Sequence, residues 1–475
     1  MTNPTYSPAA AAALPPEANS SLYLAAVCLV ASIGGLLFGF DTAVISGTVT
    51  SVKAQYLLSD LQEGWFGSSA LVGCILGAAV AGFISDRHGR KPALLVSAVF
   101  FLLSAVLAAM APGFDWLVWG RIIGGLGVGI ASVAAPMYIS EFAPPRIRGR
   151  LVAFYQLSIV VGILVAYLSN WLLNGFATAH PEAFAAGGWW HRIMIAEVWR
   201  AMFGVGVVPA AAFLGLLVAM PESPRWLIKE GRTEAAFTIL SRIGGASVAR
   251  QEMTEISQAE EDEGGSFSEL FKPGLRVALL VGLGLSIFGQ LSGVNIVVYY
   301  GPRILTGAAF SPAVALQCQV VLGLVNLLFT LVAIWKVDSW GRRPLLIWGM
   351  AVVTLSIGAT AVLYHVHAPA LAIVAMLCVY VACLAISICG VIWVLTSEIF
   401  PNRVRGRAVS ICIFANWGTN WLSAFLFPWY VETFGLASGF ASFAVICAGA
   451  TLFFYLLVPE TKGKSLEEIE KHWAR

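Results

Sequence analysis

The chain has 475 residues, of which 59% are hydrophobic and only 11% are charged, and its mean hydropathy is +0.82. A soluble globular protein carries about 25% charged residues, so the composition excludes that class and indicates a protein that crosses a membrane many times. The net charge of +2 gives no reason to expect a nucleic-acid partner.

The chain begins with a polar tail and continues as a series of apolar runs. The residues before Ser20 lack the basic segment of a secretory signal peptide, so we expect a disordered cytoplasmic tail over 1–20 and a first helix that is retained. Each run is about 20 residues long and can cross a hydrocarbon core of roughly 30 Å. The runs cover 22–46, 63–85, 92–111, 115–138, 149–173, 199–220, 273–301, 311–336, 343–364, 369–398, 404–430 and 436–458. Because the runs are continuous and do not alternate, they predict an all-α membrane protein with twelve transmembrane helices, not a barrel.

The first run carries an acid, Asp41, within "GGLLFGFDTAVISG". An Asp at the centre of a membrane costs about 2.5 to 3.5 kcal/mol on insertion scales, so such a residue indicates a function. The candidate partner is Arg121, which begins "RIIGGLGVG" in the fourth run, where glycines allow close helix packing. Burial disfavours the charged carboxylate and a guanidinium favours it, so separating and re-forming the pair would bind and release a proton. A static ion pair between the two helices is the alternative.

Three sequence motifs occur twice, at corresponding places in the two halves of the chain. "DRHGRK" corresponds to "DSWGRR", "EFAPPRIRGR" to "EIFPNRVRGR", and "PESPRW" to "PETKGK". One such basic loop could simply set topology, but three pairs in register indicate two six-helix repeats. Major facilitator transporters are built in this way, with the substrate between the halves. We predict a first half over 21–221, a cytoplasmic helical linker over 222–272, a second half over 273–458 and a cytoplasmic tail over 459–475.

Acids and arginines in these loops are candidates for salt bridges that gate the cytoplasmic face. They are Arg87, Glu141, Arg148, Glu222, Arg342, Glu398, Arg405 and Glu460. We expect Glu141 to pair with Arg87 or Arg148 while the cavity is open outward. In the second half, we expect Glu398 to pair with Arg342 or Arg405.

Lys and Arg are concentrated on the side of the membrane that carries these loops. Only Lys53, Arg192, Arg200 and Arg303 fall on the other side, and Arg121 lies within a span. This asymmetry predicts that both termini are cytoplasmic, in the inner membrane of a cell. All eight Cys map to the runs, without a metal-ligand spacing, so we expect them to be packing residues, and we expect no metal and no cofactor other than a coupling proton.

The motifs above, together with "GQLSGVNIVVYY", "PESPRWL" and "VPETKGKSLEE", resemble the sugar porters of the major facilitator superfamily over about Ser21 to Trp473. This family includes bacterial proton-coupled xylose symporters and animal facilitative glucose carriers. The resemblance implies the major facilitator fold and a monomer in the lipid bilayer that binds a monosaccharide and a proton. Proton-coupled members carry Asp at the position of Asp41, whereas facilitative members carry Asn.

Few amide side chains lie within the apolar runs, and amides, which both donate and accept hydrogen bonds, match the hydroxyls of a neutral sugar. By resemblance, the amides Gln156, Gln290, Asn295, Asn326 and Asn416 bind sugar, and Phe38, Tyr299, Trp393 and Trp417 form the aromatic walls and gate. The alternative for any single amide is a hydrogen bond between helices, worth about 0.6 kcal/mol on average. Five amides on family positions favour a binding site.

Some positions depart from the family patterns. Gly289 occupies the first place of a Gln-Gln pair found in both xylose symporters and glucose carriers, so one amide is missing. Cys389 and Gly390 replace a Gly-Pro pair, while Asn416 and Ile163 match the glucose carriers. The sugar therefore stays open among D-xylose, D-glucose and similar aldoses.

These expectations combine into a proton-coupled symporter that imports a monosaccharide by alternating access, with Asp41 and Arg121 as the coupling pair. A facilitative carrier with a structural Asp41 is the alternative. A non-transporting sugar receptor would need a long cytoplasmic extension, and only a short segment follows the last run. An enzyme is disfavoured because the sequence has no phosphate-binding glycine loop and no metal motif.

Overall fold

The computed structural model describes residues 20–144, 146–259, 267–272 and 274–462, and these residues contain helices and no β-strand. Nearly all of the tail predicted over 1–20 and most of that over 459–475 lie outside the described residues. The first half contains α1 (Ser20–Tyr56), α2 (Asp60–His88), α3 (Arg90–Met110), α4 (Phe114–Phe142), α5 (Arg148–Ala179), α6 (Trp189–His191), a π-helical turn (Arg192–Ala196), α7 (Trp199–Gly204) and α8 (Val207–Ala219). The following segment holds α9 (Pro224–Lys229), α10 (Thr233–Ala259) and a 3₁₀ turn (Phe267–Phe271). The second half contains α11 (Leu275–Leu291), α12 (Val294–Gly307), α13 (Pro312–Trp340), α14 (Arg342–His365), α15 (Ala370–Ile386), α16 (Ile388–Glu398) and α17 (Asn402–Leu457).

The last helix, α17, is too long for one membrane crossing. Its apolar part, Val404–Leu457, has 54 residues, and a straight helix of that length would measure about 80 Å at 1.5 Å per residue. Gly435 inside it has φ 83° and ψ 161°, which are not helical values, so the chain turns there and α17 crosses twice. Ten other apolar stretches in the described residues are long enough to cross once each. The predicted fold class with twelve crossings is confirmed.

Two crossings that the sequence predicts as continuous runs are interrupted. The run over 273–301 is divided into α11 and α12 at Gly293, which has φ 86°, a conformation that favours glycine. The run over 369–398 is divided into α15 and α16 at Ser387, which has φ −86° and ψ −95°. Non-helical backbone at membrane depth is tolerated only where protein covers it, and both Gly293 and Ser387 are buried.

Glycines bring neighbouring helices of the first half into backbone contact. A Cβ on Gly73 of α2 would overlap the backbone oxygen of Ile122 in α4, and a Cβ on Gly125 of α4 would overlap that of Ala70 in α2. Each glycine therefore lies directly against the other helix, as in other close helix pairs in membranes. This packing fixes α4, and with it Arg121, inside the first half.

The two halves meet mainly along three helix pairs. Helix α2 packs against α17, α5 packs against α13, and α1 packs against α12. We call the end of the bundle with the α2–α3, α4–α5, α13–α14 and α16–α17 connections the motif end, because the repeated motifs lie there. The end with the α1–α2 and α12–α13 connections is the opposite end.

At the motif end, one glutamate in each half binds the start of a helix. Glu222 accepts hydrogen bonds from the backbone N–H groups of Arg90 (3.0 Å) and Lys91 (3.1 Å) in α3. Glu460 accepts equivalent bonds of 3.1 Å from the first two residues of α14. A carboxylate at a helix N-terminus satisfies free N–H groups and interacts favourably with the helix dipole. This contact explains why the "DRHGRK" and "PESPRW" motifs recur together.

The chain enters α14 through Gly341, which has φ 89° and ψ 153°, a region that is almost restricted to glycine. A Cβ there would also lie 2.8 Å from Glu460 Oε2. We expect Gly341→Ala to lower the free energy of unfolding by about 1 to 3 kcal/mol, measured as a lower melting temperature of the purified protein in detergent. Gly82→Ala is the matched control, since nothing lies within 4 Å of a Cβ at that position. Equal melting temperatures for both variants would contradict this account.

Candidate functional site

Asp41 of α1 and Arg121 of α4 are in direct contact inside the first half. Arg121 Nη1 lies 3.0 Å from Asp41 Oδ1 and donates a hydrogen bond of 2.8 Å to the Asp41 backbone oxygen. Arg121 is 1% exposed, and its guanidinium carbon lies 5.6 Å from the centre of the Phe203 ring. A Cβ on Gly124 would lie 3.2 Å from Asp41 Oδ1. The glycines of α4 therefore leave the space in which this ion pair forms.

A small cavity lies beside the pair. It has a volume of about 20 Å³, enough for one water molecule. Its lining is apolar except for Asp41 and Ser104, and consists of Leu37, Phe40, Asp41, Val44, Phe101, Ser104, Ala105, Phe203 and Gly206. The second carboxylate oxygen of Asp41, Oδ2, accepts no hydrogen bond from the described residues. One carboxylate oxygen is thus bound to the arginine, while the other can accept a proton.

Three of the predicted amides form one hydrogen-bonded cluster, which we call the amide cluster: Gln290, Asn295 and Asn416. Gln290 Nε2 donates to Asn416 Oδ1 at 2.8 Å, and Asn295 Nδ2 donates to Gln290 Oε1 at 2.7 Å. The cluster joins α11, α12 and the first crossing of α17. Gln290 is its centre, because it uses both its donor and its acceptor.

The break between α11 and α12 brings Gln290 and Asn295 together. These residues are five positions apart and would not share a face of an unbroken helix. The break is held by Tyr380 of α15, whose hydroxyl donates a hydrogen bond of 2.7 Å to the backbone oxygen of Ser292. A Cβ on Gly293 would lie 3.1 Å from the same hydroxyl. The backbone at the break therefore has a partner, and its geometry positions the amide cluster.

Aromatic residues lie next to the cluster and across the interface between the halves. Tyr299 of α12 is 3% exposed, and its hydroxyl accepts a hydrogen bond of 3.1 Å from Asn420, one turn beyond Asn416 in α17. The rings of Phe38 in α1 and Trp417 in α17 have centroids 5.6 Å apart and an interplanar angle of 40°. Phe38 and Trp417 thus connect the helix that carries Asp41 to the helix that carries Asn416.

Three predicted site residues make no hydrogen bond or ring contact with this cluster among the described residues. Gln156 of α5 and Asn326 of α13 are partly buried, and no hydrogen bond between described side chains joins either to the amides. Trp393 of α16 is 44% exposed and makes no ring contact with the described aromatic residues. Hydrogen bonds thus join the amides of α11, α12 and α17, and among the described side chains none of these bonds includes the amides of α5 and α13.

At the motif end, the partner of Glu141 is neither of the two arginines that the sequence suggested. Arg90 forms the pair instead, with Nη2 and Nε each 3.0 Å from Glu141 Oε1. Arg87 is exposed, and its guanidinium lies 5.8 Å from the Phe83 ring. Arg148 donates to the backbone oxygen at position 143, at the end of its own loop. In this structure Glu141 therefore pairs with Arg90, and the pairing with Arg87 or Arg148 that we expect for an outward-open cavity stays a prediction.

The second half repeats this arrangement. Arg342 Nη2 lies 3.2 Å from Glu398 Oε1, so this pair is one of the two expected, while Arg405 donates to the backbone oxygen of Phe400. The repeat itself could have identified Arg90, since it occupies in "DRHGRK" the place of Arg342 in "DSWGRR". Each of these ion pairs joins two residues of the same half.

A family model described as "Sugar (and other) transporter" matches residues 27–473. The chain is 38% identical to the arabinose-proton symporter of Bacillus subtilis over 463 residues, which cover 97% of both chains. It is 39% identical to the D-xylose-proton symporter of Escherichia coli over 495 aligned positions, which cover 96% of both.

Solved structures match over almost the whole chain. The partially occluded inward-open conformation of the xylose transporter XylE from E. coli has a TM-score of 0.82 and 36% identity, and covers 94% of this chain and 100% of that one. XylE bound to 6-bromo-6-deoxy-D-glucose has a TM-score of 0.77 and 37% identity, with coverage of 96% and 100%. These matches agree with the twelve crossings and the paired motifs. The chain belongs to the sugar transporter family of the major facilitator superfamily.

Proposed function

We propose that this protein is a proton-coupled symporter that imports a monosaccharide by alternating access. The observation that carries the proposal is the buried Asp41–Arg121 pair. Asp41 Oδ2 accepts no hydrogen bond from the described residues, and Asp41 belongs to α1, a helix that contributes no residue to the amide cluster. A titratable carboxylate inside the membrane is suited to carry a proton. Relatives named as xylose-proton and arabinose-proton symporters support the same activity.

The amide cluster is suited to bind the sugar. Its three amides hydrogen-bond one another in this structure, and the hydroxyls of a sugar would exchange for these bonds without leaving a buried polar group unsatisfied. The proposed sugar-binding residues are Phe38, Gln156, Gln290, Asn295, Tyr299, Asn326, Trp393, Asn416 and Trp417. Gln156, Asn326 and Trp393 would add contacts to the sugar from α5, α13 and α16.

Position 289 affects which sugar fits. A Cβ on Gly289 would lie 2.7 Å from Cδ1 of Ile392 in α16 and 3.6 Å from Cδ1 of Ile388. Aliphatic side chains thus fill the space next to Gln290 where other family members have a second amide. The substrate class is an aldose such as D-xylose or D-glucose, and relatives are named for xylose, arabinose and glucose.

Coupling requires that α1 moves relative to α4. Asp41 and Arg121 belong to the same half, so rigid rocking of the two halves would leave their ion pair intact. Phe38 lies one turn before Asp41 on α1 and contacts Trp417 of the other half. A sugar that displaces the Trp417 ring would therefore shift α1, weaken the ion pair and promote proton binding to Asp41.

We further propose the location and gating of this carrier. The motif end faces the cytoplasm of a cell whose inner membrane holds the protein, with both termini on that side and the protein acting as a monomer. The ion pairs of Glu141 and Glu398, each within one half, stabilise the motif end while the two halves are separated there. When the opposite end opens and the motif end closes, Arg87, Arg148 and Arg405 are available to form salt bridges at the motif end.

A facilitative carrier is the second candidate. The observation that favours it is that the Asp41–Arg121 pair is intact in this structure, as a purely structural pair would be. The two candidates differ in one measurable property, which is whether a pH gradient drives sugar uphill. Uptake into proteoliposomes with and without an imposed pH gradient distinguishes them.

Asp41→Asn should abolish sugar accumulation driven by a pH gradient, because an amide cannot bind and release a proton. Sugar affinity should stay within a few fold of the wild type, and exchange of labelled sugar between equilibrated compartments should continue in part. The assay is uptake into proteoliposomes, with calorimetry for affinity. Asp115→Asn, at an exposed position of α4, is the control and should behave as the wild type. Proton-driven accumulation by the Asp41→Asn variant would refute the proton-carrier role.

Gln290→Ala should weaken sugar binding about 5- to 150-fold, since removing one partner of a hydrogen bond that is shielded from water costs about 1 to 3 kcal/mol, and the bonds of Gln290 are partly buried. The variant loses both bonds at the centre of the amide cluster. Isothermal titration calorimetry with D-xylose and D-glucose measures the change. Gln251→Ala, in the exposed part of α10, is the matched control. Unchanged affinity with both sugars would remove Gln290 from the site.

A further inference from the structure

Four charged residues from four helices form a cluster at the opposite end: Lys53 of α1, Glu63 of α2, Arg303 of α12 and Glu432 of α17. Glu63 is 1% exposed, and its carboxylate contacts Lys53 Nζ at 2.7 Å and the Arg303 guanidinium. Arg303 Nη2 lies 3.2 Å from Glu432 Oε2. Asp60, at the start of α2, also contacts Lys53 at 2.7 Å. The central pair, Glu63–Arg303, joins the two halves.

The cluster contains one acid and one base from each half at its centre. Lys53 and Glu63 come from the first half, while Arg303 and Glu432 come from the second. A buried carboxylate that loses its cation is strongly destabilised. If the halves part at this end, Glu63 keeps Lys53 and Arg303 keeps Glu432. Neither ion of the central pair is then left without a partner.

Helix α12, which carries Arg303, also contacts the first half along its length. The hydroxyl of Tyr167 in α5 donates a hydrogen bond of 3.3 Å to the backbone oxygen of Val298, which has lost its helical donor because Pro302 has no N–H. A Cβ on Gly67 of α2 would overlap the Tyr300 hydroxyl. Because α12 also holds Asn295 of the amide cluster, its position links this end to the proposed sugar site.

We propose that Glu63 and Arg303 form an exchangeable latch that closes the opposite end of the bundle, and that Lys53 and Glu432 are the partners they keep when it opens. The inference rests on the proposed alternating-access function. Glu63 and Arg303 are positioning residues, since they act through α12 and do not touch the sugar-binding amides. The latch holds α12 against α2, and each half stabilises its own latch residue after separation.

This arrangement predicts opposite effects for two substitutions. Arg303→Gln removes the attraction between the halves, while Glu63 keeps Lys53 in either state, so opening should become easier. Glu432→Gln removes the partner that Arg303 keeps after opening, while the latch itself is intact, so opening should become harder. A merely structural role would make both substitutions act in the same direction.

Hydrogen–deuterium exchange of the purified full-length protein in lipid nanodiscs, without sugar, tests the latch. Amide exchange at residues 60–72 and in Val294–Gly307 should be about threefold faster or more in Arg303→Gln, the change that an ion pair of ordinary strength produces. It should be slower than the wild type in Glu432→Gln. Arg303→Lys should restore exchange toward wild-type rates, and Glu182→Gln, an exposed charge outside the cluster, should leave exchange unchanged.

Equal or same-direction changes in Arg303→Gln and Glu432→Gln would overturn the latch. If Arg303→Gln does not fold, Glu432→Gln still tests the latch, because the Glu432 side chain is 62% exposed and its substitution should leave the fold intact. Unchanged or faster amide exchange in Glu432→Gln would refute the proposal. Residues 86–91 and 338–343 at the motif end report on alternating access separately. If amide exchange changes at the opposite end but not at the motif end, the latch proposal stands and the proposed transport function is contradicted.

Discussion

Inside a membrane, a backbone carbonyl that loses its helical donor finds no water, and the protein has to supply another partner. The break between α11 and α12 meets this requirement with the Tyr380 hydroxyl, which binds the backbone oxygen of Ser292. That bond gives the backbone a hydrogen-bond partner at the point where one helix stops and another starts. Gln290 and Asn295 face each other because of the break. The amide cluster therefore depends on a tyrosine that is not itself part of it.

Much of the fold could be predicted from the sequence because a bilayer imposes strong rules on composition. The twelve apolar runs follow from the cost of exposing polar groups to lipid, and the two six-helix repeats follow from motifs that recur in register. The same cost made Asp41 and Arg121 conspicuous, and the structure places them in contact. Gln290, Asn295 and Asn416 stood out for the same reason. Within a membrane span, a polar residue is rare enough to be informative by itself.

The rest could not be predicted because it depends on backbone geometry and on the distances between helices. Hydropathy is the same for a straight and an interrupted helix, so the breaks at Gly293 and Ser387 were missed. At the motif end, charges are common, so composition alone did not single out Arg90 as the partner that Glu141 has in this structure. The register of the repeat aligns Arg90 with Arg342, and each of these arginines pairs with the glutamate of its own half. Internal symmetry was thus a guide to the pairing seen in this structure.

The charge cluster at the opposite end has an electrical consequence. Because Lys53 stays with Glu63 and Arg303 stays with Glu432, each pair is electrically neutral, and its movement carries no net charge across the membrane. A membrane potential acts on a conformational change only through charge that moves across the field. Opening of this end is therefore expected to be nearly insensitive to voltage. In the proposed cycle, the proton at Asp41 would be the charge through which the membrane potential drives sugar uptake.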